Sequence, residues 1–405
     1  MPCTDVRATA RNLSLLLTIL GAACTSETVV TKAPEAPGGA GPGPACTEDS
    51  ECPAATPLCD AALSACVDKA KGGEIGRGDG TAGSVVFTTL VAFDASLGPV
   101  DVAFHPTRKD EAWVVGYGDN SVYVGAEASS AAPKWKRYAD PARSHFMYKP
   151  PAIAMGVGET FATCGDNDDS HNRGGTPSYF MGPALFSTDL TVFATAPTNL
   201  GSHLDMLHST PFCRGIAHVE ANWFWVFNAY DNSLDKYNFA VDHGPGNDDH
   251  SDGEIYRYAG GQVKGVDGTP SHIYYDASDK FLYVADTGNA RIVKLDTTKG
   301  TKGEELPRRN EPLVANGFMN GTDVEVVVPA GTVDKPSGLE VRDGLIYVTD
   351  AATSTFYVFD KTGKQVRKLA TGLPAGSLAG FTFDGEGRLV FTDKVGGRLV
   401  RIDTR

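Results

Sequence analysis

The feature of the sequence that most restricts its fold is a unit that recurs six times between residues 84 and 405. Each copy begins with a short apolar strand after Pro, Cys or Leu. A second strand that ends near Asp comes next, and a third strand follows. The central apolar positions of the first strands are Val102, Ile153, Ile216, Ile273, Leu339 and Phe381, at intervals of 51, 63, 57, 66 and 42 residues. Six copies of a short β-rich unit predict an all-β, six-bladed β-propeller.

The two ends of the repeat region predict how the ring closes. The sixth unit has a third strand but no fourth, whereas an additional strand, residues 84–93, precedes the first unit. We expect residues 84–93 to pair with residues 398–403 as the outer strand of the sixth blade, which leaves no large open edge.

The first 24 residues have the layout of an export signal. Arg7 and Arg11 precede an apolar stretch over residues 13–20, and Gly-Ala-Ala-Cys follows at 21–24. Small residues before Cys24 resemble a bacterial lipobox, and this resemblance implies lipidation of Cys24 and membrane attachment through that lipid. The alternative is ordinary cleavage nearby. Either route exports the chain to the outer membrane, the cell envelope or the extracellular space, where disulfides persist.

The segments before the propeller predict a tether and a small disulfide module. Residues 25–45 are rich in Pro and Gly and are expected to be a flexible linker. Residues 46–68 contain Cys46, Cys52, Cys59 and Cys66 without the close pairs of zinc sites, which predicts two disulfides in one of three pairings. This piece resembles short Cys-rich modules of myxobacterial surface proteins. Residues 69–83 are expected to be a second linker.

Two further cysteines lie inside the repeats. Cys164 ends the second strand of blade two, and Cys213 begins the first strand of blade three. Propeller topology places both positions on the same face of adjacent blades. We therefore expect a Cys164–Cys213 disulfide, with two buried free thiols as the alternative.

Charge and hydropathy exclude two classes of function. The chain has 36 Lys and Arg against 50 Asp and Glu, which gives a net charge of −14 and argues against nucleic-acid binding. The sequence contains no run of 18 apolar residues, so it does not predict a transmembrane helix. We expect a monomer.

Histidines and carboxylates gather in segments that topology assigns to one face of the ring. We call this the first face: it carries the loops between blades and the loops joining strands two and three. The candidate ligands for a metal are His145, His171, His203, Asp205, His208 and His272. Imidazole and carboxylate suit zinc, and a nearby thioether favours copper. The alternative is that these side chains cap loops.

A second polar segment lies in the third blade. Residues 241–254 contain His243, Asp248, Asp249, His250 and Asp252 between strands three and four, which places them on the opposite face. Their carboxylates could bind calcium, although the spacing does not match an EF-hand loop. A solvated turn is the alternative.

Three of the six copies resemble NHL repeats. The resemblance is carried by residues 270–296 (PSHIYYDASDKFLYVADTGNARIVKLD), 336–350 (PSGLEVRDGLIYVTD) and 381–403. It implies a six-bladed propeller like those of the peptidylglycine amidating lyase and gluconolactonase groups. The lyases place metal-binding His in a P-H-G-[LI] motif, and here only His272 lies near that position.

These observations favour a binding protein at the cell surface or in the periplasm. We expect a polar pocket on the first face to bind a small molecule or a protein, with or without a divalent metal. The alternatives are a metal-dependent lyase or hydrolase that uses His145, His203, His208 and His272, and a structural envelope protein.

Overall fold

The computed structural model describes residues 44–404, apart from 57, 61–63, 68, 69, 95, 170–173, 175 and 308–310. The signal, Cys24, nearly all of the first linker and His171 lie outside the described residues. Within the part that is described, no helix is long and apolar enough to cross a membrane.

The small cysteine module is a hairpin held by two disulfides. A 3₁₀ turn, Asp49–Glu51, precedes strands β1 (Leu58–Asp60) and β2 (Ala65–Val67), which pair antiparallel. Disulfides join Cys46 to Cys59 and Cys52 to Cys66. The structure thus selects one of the three pairings that the sequence left open.

The segment that follows the module packs on the propeller, whereas the sequence predicted a linker there. It contains two 3₁₀ turns, Gly73–Ile75 and Ala82–Ser84. Ile75 is buried among side chains of blades five and six, and Glu74 accepts a hydrogen bond of 2.6 Å from the Tyr347 hydroxyl. A single apolar residue in a Gly-rich stretch gives no periodic signal, so this docking could not be predicted.

The six blades are antiparallel sheets of four strands. Within a blade each strand pairs with the one that follows it along the chain, except that an insertion precedes the fourth strand of blade four, and β3 (Val85–Ala92), which precedes blade one, supplies the fourth strand of blade six. Blade one consists of β4 (Pro99–Phe104), β5 (Ala112–Gly116), β6 (Ser121–Ala126) and β7 (Lys134–Tyr138). A short helix, α1 (Arg143–Phe146), leads into blade two, which consists of β8 (Ile153–Met155), β9 (Thr160–Thr163), β10 (Ala184–Ser187) and β11 (His203–Met206). Blade three consists of β12 (Cys213–Glu220), β13 (Trp223–Asn228), β14 (Ser233–Asn238), a 3₁₀ turn (His250–Asp252) and β15 (Glu254–Tyr258).

The other three blades follow the same order. Blade four consists of β16 (Ile273–Asp276), β17 (Phe281–Asp286), a 3₁₀ turn (Thr287–Asn289), β18 (Arg291–Asp296) and, after an insertion with β19 (Thr301–Lys302) and β20 (Ala315–Asn320), β21 (Val324–Val328). Blade five consists of β22 (Pro336–Arg342), β23 (Leu345–Asp350), β24 (Thr355–Asp360) and β25 (Gln365–Ala370). Blade six consists of β26 (Leu378–Phe383), β27 (Leu389–Asp393) and β28 (Arg398–Thr404).

Strand β3 closes the ring. It pairs antiparallel with β28 from Val85 opposite Thr404 to Ala92 opposite Arg398, as the fourth strand of blade six. The expected closure is therefore confirmed.

The core lies between neighbouring blades. A second strand is covered on both faces, so β5, β23 and β27 are buried at every position instead of alternating. This explains why the sequence shows short, continuous apolar runs such as LIYVTD.

The insertion of blade four reaches back to blade three. Strand β20 pairs in parallel with β15, the outer strand of blade three, over Glu254–Arg257. The insertion brings residues 301–307 and 311–320 to the outer rim of the ring, where they meet segments of blades two and three.

Candidate functional site

The mouth of the central channel on the first face is built from loops of all six blades. Carboxylates at the ends of second strands hold these loops. Asp286 accepts a hydrogen bond of 2.7 Å from the backbone N–H of Lys264, and Asp350 accepts one of 3.0 Å from that of Lys335. The Asp that ends several second strands is therefore structural, because it satisfies backbone donors of the preceding interblade loop.

An ion-pair network forms one side of this mouth. The guanidinium of Arg214, in β12, is buried and contacts the carboxylates of Asp166 and Asp267. The Tyr117 hydroxyl donates a hydrogen bond of 2.6 Å to Asp166. Two carboxylates compensate the charge of Arg214, so it holds three blades together and is not a free anion ligand.

Asn167 adds an unsatisfied polar group beside this network. Its side chain is buried, and neither its amide nitrogen nor its amide oxygen has a hydrogen-bond partner among the described residues. Buried amides are normally paired. A polar ligand or a water molecule at the mouth would supply the missing partners.

Two lysines line a cavity on the other side of the mouth. The cavity has a volume of about 350 Å³ and lies between segments of blades four, five and six. Lys394 donates a hydrogen bond of 3.0 Å to the Gly268 carbonyl and lies 4.9 Å from the centre of the Tyr117 ring. Burial, together with the nearby charge of Lys335, lowers the pKa of Lys394. Small residues, including Gly376, Ala351 and Ala352, leave the space open.

The disulfide Cys164–Cys213 lies directly beneath the ion-pair network. Its Cα atoms are 5.9 Å apart, and both cysteines are fully buried. The expected bridge between blades two and three is confirmed. Since Asp166 and Arg214 lie two residues and one residue from the bridged cysteines, the bridge holds their segments together.

His272 fills the axis of the channel and is not at its mouth. The position just before the central apolar residue of each first strand is Asp101, Ala152, Gly215, His272, Gly338 or Gly380. A Cβ atom on Gly380 would lie 2.1 Å from the Asp101 carboxylate and 2.6 Å from the His272 ring, so glycine is required there. The His272 ring reaches across to the Pro151 carbonyl, with Nε2 at 3.0 Å from the oxygen.

Below His272, the channel opens as a cavity of about 270 Å³ toward the face opposite the first face, which we call the second face. Glu340 lines it, and burial together with the nearby charge of Asp101 raises the pKa of Glu340 to about 8. Burial also raises the pKa of Asp101, whose carboxylate is 3.8 Å from Nδ1 of His272. The second-face half of the channel therefore contains acidic groups that favour protonation.

The predicted metal ligands that the structure describes lie in two different regions of the ring. His272 is at the axis. The ring of His145, in α1, packs against Phe146 and Phe180. His203 and Asp205, which the sequence placed in an interblade loop, belong to β11, the outer strand of blade two. His145 lies near the outer strand, since Phe146 packs against both His145 and His203, and Phe180 packs against both His145 and His208. Among the described residues, however, no group of ligand atoms within 4.8 Å of one another includes His145 or His272.

A different set of histidines and carboxylates meets on the outer rim. There are two groups of possible metal ligands, and within each group the ligand atoms all lie within 4.8 Å of one another. The first group is His208, His250 and Glu311, and the second is Asp205, His243 and Asp252. We call these six residues, together with His203 and Asp248, the rim cluster. The insertion of residues 241–254 contacts blade two, since the backbone N–H of His243 donates to the Leu204 carbonyl of β11. Its Asp242, Asp248 and Asp249 are exposed, as expected for a solvated turn.

Burial and pairing set the charges in this cluster. Burial raises the pKa of Asp205 to about 8, and Asp205 Oδ2 has no hydrogen-bond partner in the described part of the chain. Burial also raises the pKa of Glu311, but the nearby imidazoles of His208 and His250, together with the backbone N–H of His208, outweigh it and bring that pKa to about 2. Burial lowers the pKa of His203.

Sequence reasoning missed Glu311, Lys335 and Lys394. Glu311 is 103 residues from His208 in the chain, and only the parallel pairing of β20 with β15 brings it to the rim. The long interval of 66 residues after Ile273 indicated an insertion, but not where it docks. Lys335 lies in the loop between blades four and five, and Lys394 lies in the loop that joins strands two and three of blade six. Both kinds of loop belong to the first face, so the topology could have placed the two lysines on the same face.

No known protein family matches the sequence, and no curated protein matches it either. Solved structures match the fold. An auxiliary nutrient binding protein from Bacteroides thetaiotaomicron VPI-5482 is 11% identical, with a TM-score of 0.52, over 78% of this chain and 76% of that one. A second auxiliary nutrient binding protein, from Bacteroides ovatus ATCC 8483, is 12% identical, with a TM-score of 0.51, over 80% and 77%.

A streptogramin B lyase is 12% identical over 80% of this chain and 99% of its own, with a TM-score of 0.46. At these identities the likeness shows the fold alone: the chain is an all-β, six-bladed propeller.

Proposed function

We propose that this protein is an extracytoplasmic binding protein that takes a small organic anion at the mouth of its first face. The observation that carries the proposal is the pair Lys335 and Lys394 on the walls of one cavity of about 350 Å³. Pockets for small ligands typically measure about 300–1,000 Å³. The cavity therefore suits a small molecule better than a protein loop.

The electrostatics of the cavity support an anion. The protein has a net charge of −14, so two ammonium groups in one cavity are a local exception to its charge. Lys394 is partly desolvated and repelled by Lys335. A bound carboxylate would relieve both penalties, because an opposite charge stabilises the protonated ammonium. Among the described residues, the Lys335 ammonium has no side-chain partner that would compete.

The groups around the lysines support a ligand with polar edges. Asn167, which follows Asp166 of the ion-pair network, has an unpaired amide, and Tyr117 presents its ring beside Lys394. Arg214 fixes the frame through its two carboxylates. Two similar propellers are described as auxiliary nutrient binding proteins, which is consistent with a ligand-binding role for this fold.

A panel of small anions tests the proposal by thermal unfolding. We expect citrate and succinate to raise the melting temperature of the wild-type chain, whereas neutral glucose should not. The double variant Lys335→Gln/Lys394→Gln should lose the response. Lys299→Gln, an exposed lysine in the turn after β18, is the matched control and should keep it. An equal response of the wild type and the double variant would contradict the proposal.

The proposal also places the protein at the cell envelope. Three disulfides indicate an extracytoplasmic compartment. Lipid on Cys24 would anchor the chain, and residues 25–43 would separate the propeller from the membrane. Labelling of cells with an alkyne palmitate tests this: the wild type should be labelled and Cys24→Ser should not. Equal labelling of both would contradict the anchor.

A further inference from the structure

The rim cluster contains an arrangement of ligand atoms that the first-face site does not use. His208 follows β11 of blade two, His250 precedes β15 of blade three, and Glu311 belongs to the insertion of blade four. Glu311 Oε1 lies 3.4 Å from His208 Nδ1 and 3.2 Å from His250 Nδ1. Three segments from three blades thus aim two imidazole nitrogens and one carboxylate at one point.

The burial of these groups makes their incomplete pairing costly. His208 and Glu311 are 7% and 6% exposed. Nδ1 of His208 is buried and has no hydrogen-bond partner among the described residues, because its contact with Glu311 does not have hydrogen-bond geometry. An unsatisfied buried polar group costs free energy in the folded state. A cation bound between the two nitrogens and the carboxylate would remove this cost.

Neighbouring side chains orient both rings. The ring of Phe180 stacks on His208 at 4.4 Å between centroids. Asp248 Oδ2 lies 3.6 Å from Nε2 of His250, on the side of the ring opposite Nδ1. A carboxylate on the far nitrogen of a histidine is the usual support of a metal ligand, since it fixes the tautomer and leaves the other nitrogen free to bind.

We propose that His208, His250 and Glu311 bind a divalent transition metal, and that zinc is the ion that suits them best. Two imidazoles and one carboxylate form a three-ligand zinc set that leaves a fourth position for water. Calcium is disfavoured because it takes oxygen ligands almost exclusively. The site is separate from the first-face mouth, so either proposal can fail without the other.

A metal at this place would join three blades. Its ligands come from the end of blade two and from the insertions of blades three and four. Binding to the folded state alone stabilises a protein by RT ln(1 + [L]/Kd). We therefore expect zinc to raise the melting temperature of the metal-depleted chain.

The experiment is a zinc titration of the chelator-treated mature chain, with zinc per chain measured by elemental analysis. We expect one zinc per chain. Glu311→Gln and His250→Ala should each weaken zinc binding by about 100-fold or more, while near-UV circular dichroism stays unchanged. His218→Ala is the matched control and should bind as the wild type does, because His218 lies on β12 away from the rim.

Two results would overturn the proposal. One is the absence of zinc binding by the wild type at concentrations up to about 100 μM. The other is unchanged binding by Glu311→Gln together with loss of binding by Asp252→Asn. That second result would place the ion on Asp205, His243 and Asp252 instead.

Discussion

Removal of the disulfide between Cys164 and Cys213 should cost the propeller a large part of its stability. The bridge closes a loop with a sequence separation of 49 residues. A disulfide that closes a loop of this length lowers the conformational entropy of the unfolded chain. In the chain-entropy model this stabilises the folded state by about 4 kcal/mol at 25 °C. We therefore expect the double variant Cys164→Ala/Cys213→Ala to lose up to about 4 kcal/mol of unfolding free energy.

Urea unfolding of the non-reduced proteins measures this loss. The double variant is preferable to a single one because it leaves no free thiol in the core. The two disulfides of the cysteine module remain and serve as an internal control. A loss below about 1 kcal/mol, with an unchanged slope against urea, would refute the entropic reasoning. So would an intact mass that shows two alkylated thiols in the non-reduced wild type.

The same variant should weaken the first-face site. The bridge holds the segments of Asp166 and Arg214, so its loss frees their ion pair. We expect the thermal response to citrate to fall in the double variant. A response equal to that of the wild type would show that the lysine cavity does not depend on the frame beneath it.

Three further outcomes follow from the ring itself. Deletion of residues 1–93 should cause aggregation that light scattering can measure, because it removes β3 and exposes the edge of β28. Deletion of residues 1–70 leaves β3 in place and should not cause aggregation. Equal scattering by the two truncated proteins would contradict the closure. Gly380→Ala should lower the melting temperature by several degrees, because its Cβ would meet Asp101 and His272, whereas Gly385→Ala, with open space around it, should not. Because the pKa of Glu340 is raised to about 8 in the folded state, this group should cost the wild type up to about 1.4 kcal/mol of unfolding free energy per pH unit between about pH 4.5 and 8. Glu340→Gln should lose less stability over the same range, although Asp205 and Asp101, whose pKa values are also raised, still contribute. Parallel urea midpoints of the two proteins over this range would refute the buried proton.

The fold could be predicted from the sequence because each of the six repeated units has the same local pattern of strands. Six first strands, the Asp at the end of several second strands and the orphan strand at residues 84–93 were all visible as sequence. The structure explains the Gly before Leu339 and Phe381 as well. A Cβ on Gly338 would lie 2.2 Å from the Ala379 carbonyl, so the inner strands can converge only without a side chain there.

The sites were less predictable because insertions, and not repeats, build part of them. Topology correctly placed Cys164 beside Cys213, since both lie within repeated strands. It misplaced His203 and Asp205, because the outer strand of blade two is short and polar and does not look like a strand. Glu311 could not be predicted, since its position depends on the long insertion that follows β18.

The lysine cavity could not be predicted for a different reason. Lys335 and Lys394 are ordinary loop lysines until the ring closes and places them on one cavity. From the sequence, the histidines are predicted to be metal ligands because histidine is a rare residue in this chain. In the structure, the His272 side chain instead packs at the axis of the channel. Only the closed structure separates side chains that fill the channel from those that line its mouth.

The most direct test of the first-face site is a crystal structure of the mature chain grown with the anion that raises its melting temperature most. We expect electron density for that anion within hydrogen-bond distance of the Nζ atoms of Lys335 and Lys394, at the mouth formed by the loops of all six blades. Density for the anion only in the second-face half of the channel, beside Glu340, would contradict it.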